Sequence, residues 1–279
     1  MPIVVLFSIV MLFACHKGEA SGTPLIFDSI PISRPVTPII NEGSGIADSK
    51  VNPGFLWVEE DSGNPPQLYL ISHDGIVSKK IYIKGAINRD WEDMALVSGE
   101  LYVADIGDNA QTSLDYFFYT FPEPLASVDT VSNFATIRFR YPDSSHDAEA
   151  FLVDPSTKDI YIITKRDNPS RIYKLAYPHN IALNEVEFVG ALSITGVVSA
   201  ALSVDGKELI VKTYTNLYYS QRLAGESLVS AFQKDFTILP YKIEPQGEAV
   251  TFANNNSGIY TLSEKGFANS VNLYFYPRK

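Results

Sequence analysis

The sequence predicts an all-β chain folded as a five-bladed β-propeller closed by an N-terminal strand. Three observations lead there. Short alternating or aromatic-rich runs, separated by Gly, Pro, Asn and Asp turns, fill residues 24–279 with almost no helical periodicity. A strand motif recurs at Ser44-Gly-Ile-Ala, Glu92-Asp-Met-Ala, Glu149-Ala-Phe-Leu, Ser199-Ala-Ala-Leu and Glu248-Ala-Val-Thr, in steps of 48, 57, 50 and 49 residues, which is the length of a propeller blade. The last unit lacks an outer strand, and the chain offers a spare one near its start.

Each unit can be built strand by strand. Ten to thirteen residues after the first strand comes a second, at Phe55-Leu-Trp-Val, Glu100-Leu-Tyr-Val, Asp159-Ile-Tyr-Ile, Glu208-Leu-Ile-Val and Gly258-Ile-Tyr-Thr. Turn residues such as Asn52-Pro53-Gly54 and Asp205-Gly206 join the pairs into hairpins. Third strands are expected at 67–72, 115–121, 171–177, 217–222 and 272–276, and fourth strands at 80–83, 136–141, 185–189 and 236–243. The missing fourth strand of the fifth unit is assigned to Leu25–Ile30, because ring closure removes an otherwise open sheet edge. A two-sheet sandwich is the competing architecture, and it does not explain a regular repeat.

The segment before the propeller reads as an export signal. An apolar run from Pro2 to Ala14 stops at Cys15, the one cysteine, and is too short to span a membrane. Leu12-Phe13-Ala14-Cys15 resembles the lipobox of bacterial lipoproteins, which implies a signal peptide over 1–14, lipidation of Cys15, a linker over 15–23 and a single propeller domain over 24–279. The expected location is the bacterial cell envelope, membrane-attached through the lipid. An ordinary secretory signal and a buried N-terminal strand are the alternatives. With one cysteine no intramolecular disulfide can form, so the core must hold the fold. A net charge of −10 argues against a phosphate-backbone binder, and no nucleic-acid partner is expected. The protein is expected to be a monomer.

In a propeller the loops entering the first strands and leaving the second strands meet at one end, here termed the upper end. The entering set brings Ser44, Glu92, Glu149, Ser199 and Glu248 to equivalent positions around the axis, with Glu42, Asp90 and Asp147 two residues before three of them. Converging carboxylates stay ionised together only with a compensating cation or abundant water. An all-oxygen set without His or Cys favours calcium, and the ring of Ser44, Glu92, Glu149, Ser199 and Glu248 is the expected ligand set. A solvated acidic channel is the plainer alternative. The leaving set supplies acids from the first two units and Lys165, Arg166, Lys212 and Lys265 from the others, an expected binding set for a small anionic, phosphorylated substrate. Asp105 and Asp147 are candidates to position water, and His146 is a candidate proton carrier, against the plainer reading of a surface histidine in a turn.

The Ser/Glu ring on five units of about fifty residues, with Asp90-Trp91-Glu92-Asp93-Met94-Ala95 and Gln246-Gly247-Glu248-Ala249-Val250, resembles the calcium-activated nucleotidase, or soluble apyrase, family. That resemblance implies a central calcium and hydrolysis of nucleoside di- and triphosphates. The Asp-x-Glu and Glu-Ala elements are also similar to those of six-bladed β-propeller phytases. Asp-Trp-Glu-Asp, Asp-Ile-Gly-Asp-Asn and His-Asp-Ala-Glu-Ala together look like a group of uncharacterised exported bacterial propeller proteins. The expected function is a calcium-dependent phosphohydrolase of the envelope. Its alternative is a non-enzymatic propeller that binds a ligand or protein and keeps a structural calcium.

Overall fold

The computed structural model describes residues 26–279. The apolar run, Cys15, the linker and Leu25 lie outside the described residues. After β1 (Ile32–Pro35), blade one comprises β2 (Gly43–Asp48), β3 (Phe55–Glu60), β4 (Gln67–Ser72) and β5 (Val77–Ile83). Blade two comprises β6 (Trp91–Val97), β7 (Glu100–Asp105), β8 (Tyr116–Pro122) and, after the short β9 (Thr130–Val131), β10 (Ala135–Arg140). Blade three has β11 (Ala148–Val153), β12 (Ile160–Thr164), β13 (Arg171–Leu175) and, after the short β14 (Asn184–Glu185), β15 (Glu187–Ala191). In blade four, β16 (Val197–Leu202), β17 (Glu208–Thr213) and β18 (Leu217–Gln221) are followed by α1 (Leu228–Phe232) and β19 (Thr237–Leu239). Blade five has β20 (Ala249–Phe252), β21 (Gly258–Leu262) and β22 (Asn272–Pro277). The innermost strands β2, β6, β11, β16 and β20 neighbour one another in that order and close a ring.

The fifth blade is completed from the N-terminal side, as the spare strand requires, but further along the chain. The pairing strand is Ile32–Pro35 on β22, in antiparallel register. Of the expected Leu25–Ile30 strand, the described residues form a single bridge, Phe27 to Arg278, flanked by the Asp28 N–H donating to the Pro277 carbonyl at 2.8 Å and the Lys279 N–H donating to the Ile26 carbonyl at 3.0 Å. The Phe27 ring is a wedge, packed edge-on to Tyr219 of blade four at 6.1 Å and tilted against Phe252 of blade five at 6.5 Å. A ring buried between two other aromatics contributes through packing between the blades.

Apolar alternation builds the interior between blades. Trp57, Leu68, Leu70 and Ile81 of blade one pack with Trp91, Leu101, Val103 and Phe121 of blade two, and the same scheme repeats around the ring. Among the described residues no helix is long and apolar enough to cross a membrane.

Candidate functional site

A repeated irregularity positions the axial side chains. Trp91 pairs with Asp105 and Asp93 with Ala104, which leaves Glu92 outside the ladder. Ala148 pairs with Thr164 and Ala150 with Ile163, which leaves Glu149 out in the same way. Such a bulge re-aims the extra residue, here at the upper mouth of the channel. Blade four bulges too, but Val197 pairs with Thr213 and Ser199 with Lys212. The residue equivalent to Glu92 and Glu149 is therefore Val198, and Ser199 falls one layer lower, level with Asp93 and Ala150. The expected five-residue ring is corrected accordingly, because a one-residue slip in a bulged strand is invisible to a stack of motifs.

Both serines serve the lower layer. Ser44 Oγ donates to the Glu92 carbonyl at 2.7 Å, and Ser199 Oγ donates to Asp93 at 3.2 Å. Asp93, fully buried on the axis, also receives the backbone N–H groups of Met94, Phe151 and Ala200, while Ser199 Oγ receives that of Val250 at 3.3 Å. These amides belong to the inner edges of four blades. Asp93 and Ser199 thus form a polar plug that pairs strand edges facing a channel too narrow to hydrate them. Burial pushes the Asp93 carboxyl well up, and the donated bonds act against that push.

Above the plug lies a crowd of carboxylates. One oxygen each of Asp61, Asp90 and Glu92 lie within 4.8 Å of one another, and so do oxygens of Glu92, Asp147 and Glu149. The second triad carries its own cations. Arg166 Nε lies 2.7 Å from Asp147, and Lys165 bonds to Glu149 and to Tyr214 Oη, 3.1 Å away. Tyr214 in turn donates to Glu248 at 2.5 Å. The first triad forms no ion pair with any described lysine or arginine. Gly107 backs it, and a Cβ there would collide with Glu92 and Asp90. Beneath it Glu59 is fully buried with neither carboxylate oxygen hydrogen-bonded.

Electrostatics follow from that crowding. Burial, then the carboxylates of Glu149, Asp61 and Asp90, raise Glu92 well above the ordinary glutamate range. Burial pushes Asp61 up to about 6, with Asp90 adding to it. Burial and the neighbouring Glu248 push Glu264 up to about 9. Against the cost of burial, the Glu149 carboxylate holds the Lys165 ammonium above its usual range.

The basic residues do not share one anion pocket. Lys212 is on β17, not in the loop after it, and holds a rung that Ile163 and Leu262 fill in blades three and five. It is wholly buried, with Nζ 2.6 Å from Tyr241 Oη and 3.9 Å from Glu244, and burial lowers it. Lys265 lies at the rim between blades five and one, beside Glu42, Asn64 and Phe267. Asp105 accepts from the Asp90 N–H at 3.0 Å and pairs with Arg89, so it fastens the loop entering blade two.

His146 is buried, contrary to the surface reading. Its Nδ1 meets Asp167 at 3.0 Å, and its Nε2 meets Tyr173 Oη at 2.8 Å and Asp143 at 3.2 Å. Both ring nitrogens are thus engaged within this Asp143, Asp167 and Tyr173 cluster. Residues that sequence reasoning missed are Asp61 as a member of the acid triad, Asp93 and Glu59. Asp93 was within reach, since it is the one acid among five equivalent positions otherwise filled by Gly, Ala or Ser.

No protein-family profile and no curated protein matches the chain. Among solved structures it is similar in shape to Kuenenia stuttgartiensis hydrazine synthase, at 12% identity and a TM-score of 0.45 over 85% of this chain and 71% of that one. It is similar also to a chain from the structure titled "Crystal Structure of Mitotic Checkpoint Complex", at 11% identity and a TM-score of 0.47 over 98% of this chain and 99% of that one.

Proposed function

We propose that this propeller is a divalent-cation-binding protein, with the ion held by Asp61, Asp90 and Glu92 at the upper mouth of the channel. The observation that carries the reading is that these three carboxylates converge without a cationic side chain paired to any of them. Hard oxygen ligands from two blades, Asp61 and Asp90 on loops and Glu92 in the bulge of β6, suit calcium, whose coordination tolerates irregular geometry. Lys165 and Arg166 stand on the opposite side of Glu92 and neutralise the second triad, so the site binds one ion and not two. The engaged lysines support binding over phosphoryl chemistry.

Titration calorimetry on metal-stripped protein tests this. One calcium per chain is expected, with an affinity reduced at least tenfold in Asp90→Asn and unchanged in Lys265→Ala. An ion bound to the folded state alone stabilises it by about 2.7 kcal/mol at a hundredfold excess over its dissociation constant. A melting curve indifferent to calcium and chelator would overturn the proposal. Calcium-dependent release of phosphate from nucleotides or phytate would add hydrolysis to binding.

The Leu-Phe-Ala-Cys motif supports attachment of this protein to the envelope membrane through Cys15. In detergent partitioning the wild-type chain is expected in the detergent phase and Cys15→Ser in the aqueous phase; equal aqueous recovery of both would refute the anchor.

A further inference from the structure

The upper face carries a second concavity, at the rim between blades five and one, and none of Asp61, Asp90 and Glu92 lines it. Its volume of about 560 Å³ lies within the roughly 300–1,000 Å³ of small-molecule sites. Blade one supplies Asn41, Glu42 and Asn64, and blade five supplies Gln246 and the turn from Glu264 to Phe267.

The two sides are fastened to each other. The Lys265 N–H donates to the Asn41 carbonyl at 2.7 Å and the Glu264 N–H to the Gln246 carbonyl at 3.1 Å. A Cβ at Gly266 would lie 2.7 Å from Gln246 Oε1, so the turn is seated on that amide. Gln246 itself has a φ of 41°, a region that residues other than glycine seldom occupy and keep only where their surroundings fix them. Glu264 is the one buried side chain of the pocket, 8% exposed. Asn64 spends its amide hydrogens on Glu42 and the Asp61 carbonyl, whereas the Asn41 and Gln246 side-chain amides bond to no described residue. Phe267 is the most exposed large apolar side chain among the described residues.

We propose that this rim pocket binds a neutral pyranose sugar, with a C–H face of the ring on Phe267 and hydroxyls on Gln246, Asn41 and Glu264. A hydroxyl both donates and accepts, and a side-chain amide presents a donor beside an acceptor to meet it. Burial and Glu248 push Glu264 up to about 9, so it too can donate as well as accept at neutral pH. Charge selects against ions, because Lys265 and Glu42 both line the pocket and neither sign prevails. The walls apart from Phe267 and Gly266 are polar, and a hydrocarbon ligand would strip water from them without replacing its hydrogen bonds. The single phenyl face takes the apolar side of a sugar ring.

The test is calorimetric titration of the whole chain in chelator with the methyl pyranosides of glucose, galactose and mannose, beside sorbitol. At least one pyranoside is expected to bind one per chain with millimolar affinity or better. Sorbitol, which has hydroxyls but no ring face, is expected not to bind. Phe267→Ala, a surface change, should weaken the bound pyranoside at least fivefold, and Phe267→Trp should retain it. Gln246→Ala should weaken it at least tenfold. If Gln246→Ala disturbs folding, the two Phe267 variants read the site alone. No heat with any pyranoside at tens of millimolar, equal binding of sorbitol, or a pyranoside whose affinity Phe267→Ala leaves unchanged would each overturn the proposal. Because the titrations exclude calcium, failure of the ion site does not alter their reading.

Discussion

Asp93 joins three blades with one carboxylate. Replacing it with alanine would leave the Met94, Phe151 and Ala200 amides and the Ser199 hydroxyl short of an acceptor in a place that water reaches poorly. Each buried donor left unpaired costs about 1–3 kcal/mol, so Asp93→Ala is expected to lower stability in urea unfolding by at least about 3 kcal/mol. Asp93→Asn keeps the volume but turns an N–H₂ toward a donor, and an intermediate loss is expected. A loss in Asp93→Ala below about 1 kcal/mol would show that the plug is dispensable. The acids above were legible as Glu92, Glu149 and Glu248 at recurring strand starts, but the bulges that aim Glu92 and Glu149 were not. Val198 in place of Ser199 was not legible. Bulges depend on which ladder pairs close, and that is decided by packing between blades.

At the scale of elements, the hairpins were readable because turn residues and apolar alternation agree locally, and the strand starts fell within two residues of their expected positions for most of them. What joins one blade to the next was not. Between its third and fourth strands blade two sends out β9, which pairs in parallel with Tyr82 and Ile83 of blade one. Blade three does the same with β14 on Phe139 and Arg140 of blade two. Blade four uses α1 instead, laying Phe232 against Tyr161 of blade three at 6.1 Å. Two-residue strands and a five-residue helix carry too little periodicity to register in a sequence, yet each covers an outer edge that would otherwise recruit another chain. The closing strand follows the same logic. A truncation ending after Pro35 would expose the β22 edge along Asn272–Phe275, whereas Ser33→Ala removes only an exposed hydroxyl. The truncated form is expected to melt lower and to aggregate with concentration in light scattering, and an unchanged, monodisperse protein would refute closure by β1.

For the molecule as a whole, the charge of −10 is less telling than where the acids lie. The fold gathers carboxyls at one end of its axis and raises them: Asp61 to about 6, Glu264 to about 9, and Glu92 and Glu149 well up, all with burial as the leading cause. A carboxyl whose pKa is higher folded than unfolded contributes stability that is full below its unfolded value, 3.8 for Asp61 and 4.5 for Glu264, and is lost as pH rises through the folded value. The window set by Asp61 and Glu264 therefore runs from pH 3.8 to about 9. Below it, Asp108, Asp143 and Asp154 act in the opposite sense, because the donors around them outweigh burial and hold them under the ordinary range. Metal-stripped protein is thus expected to melt highest near pH 5 and progressively lower toward pH 9. Saturating calcium should flatten that descent, since an ion at Asp61, Asp90 and Glu92 takes the place of protons. The same exchange should release protons on binding, visible at pH 6 as a calorimetric heat that changes with the ionisation enthalpy of the buffer. A melting temperature that rises from pH 5 to pH 9 in chelator would show that the acids are not raised, and with them would fall the reason for an ion at the channel mouth.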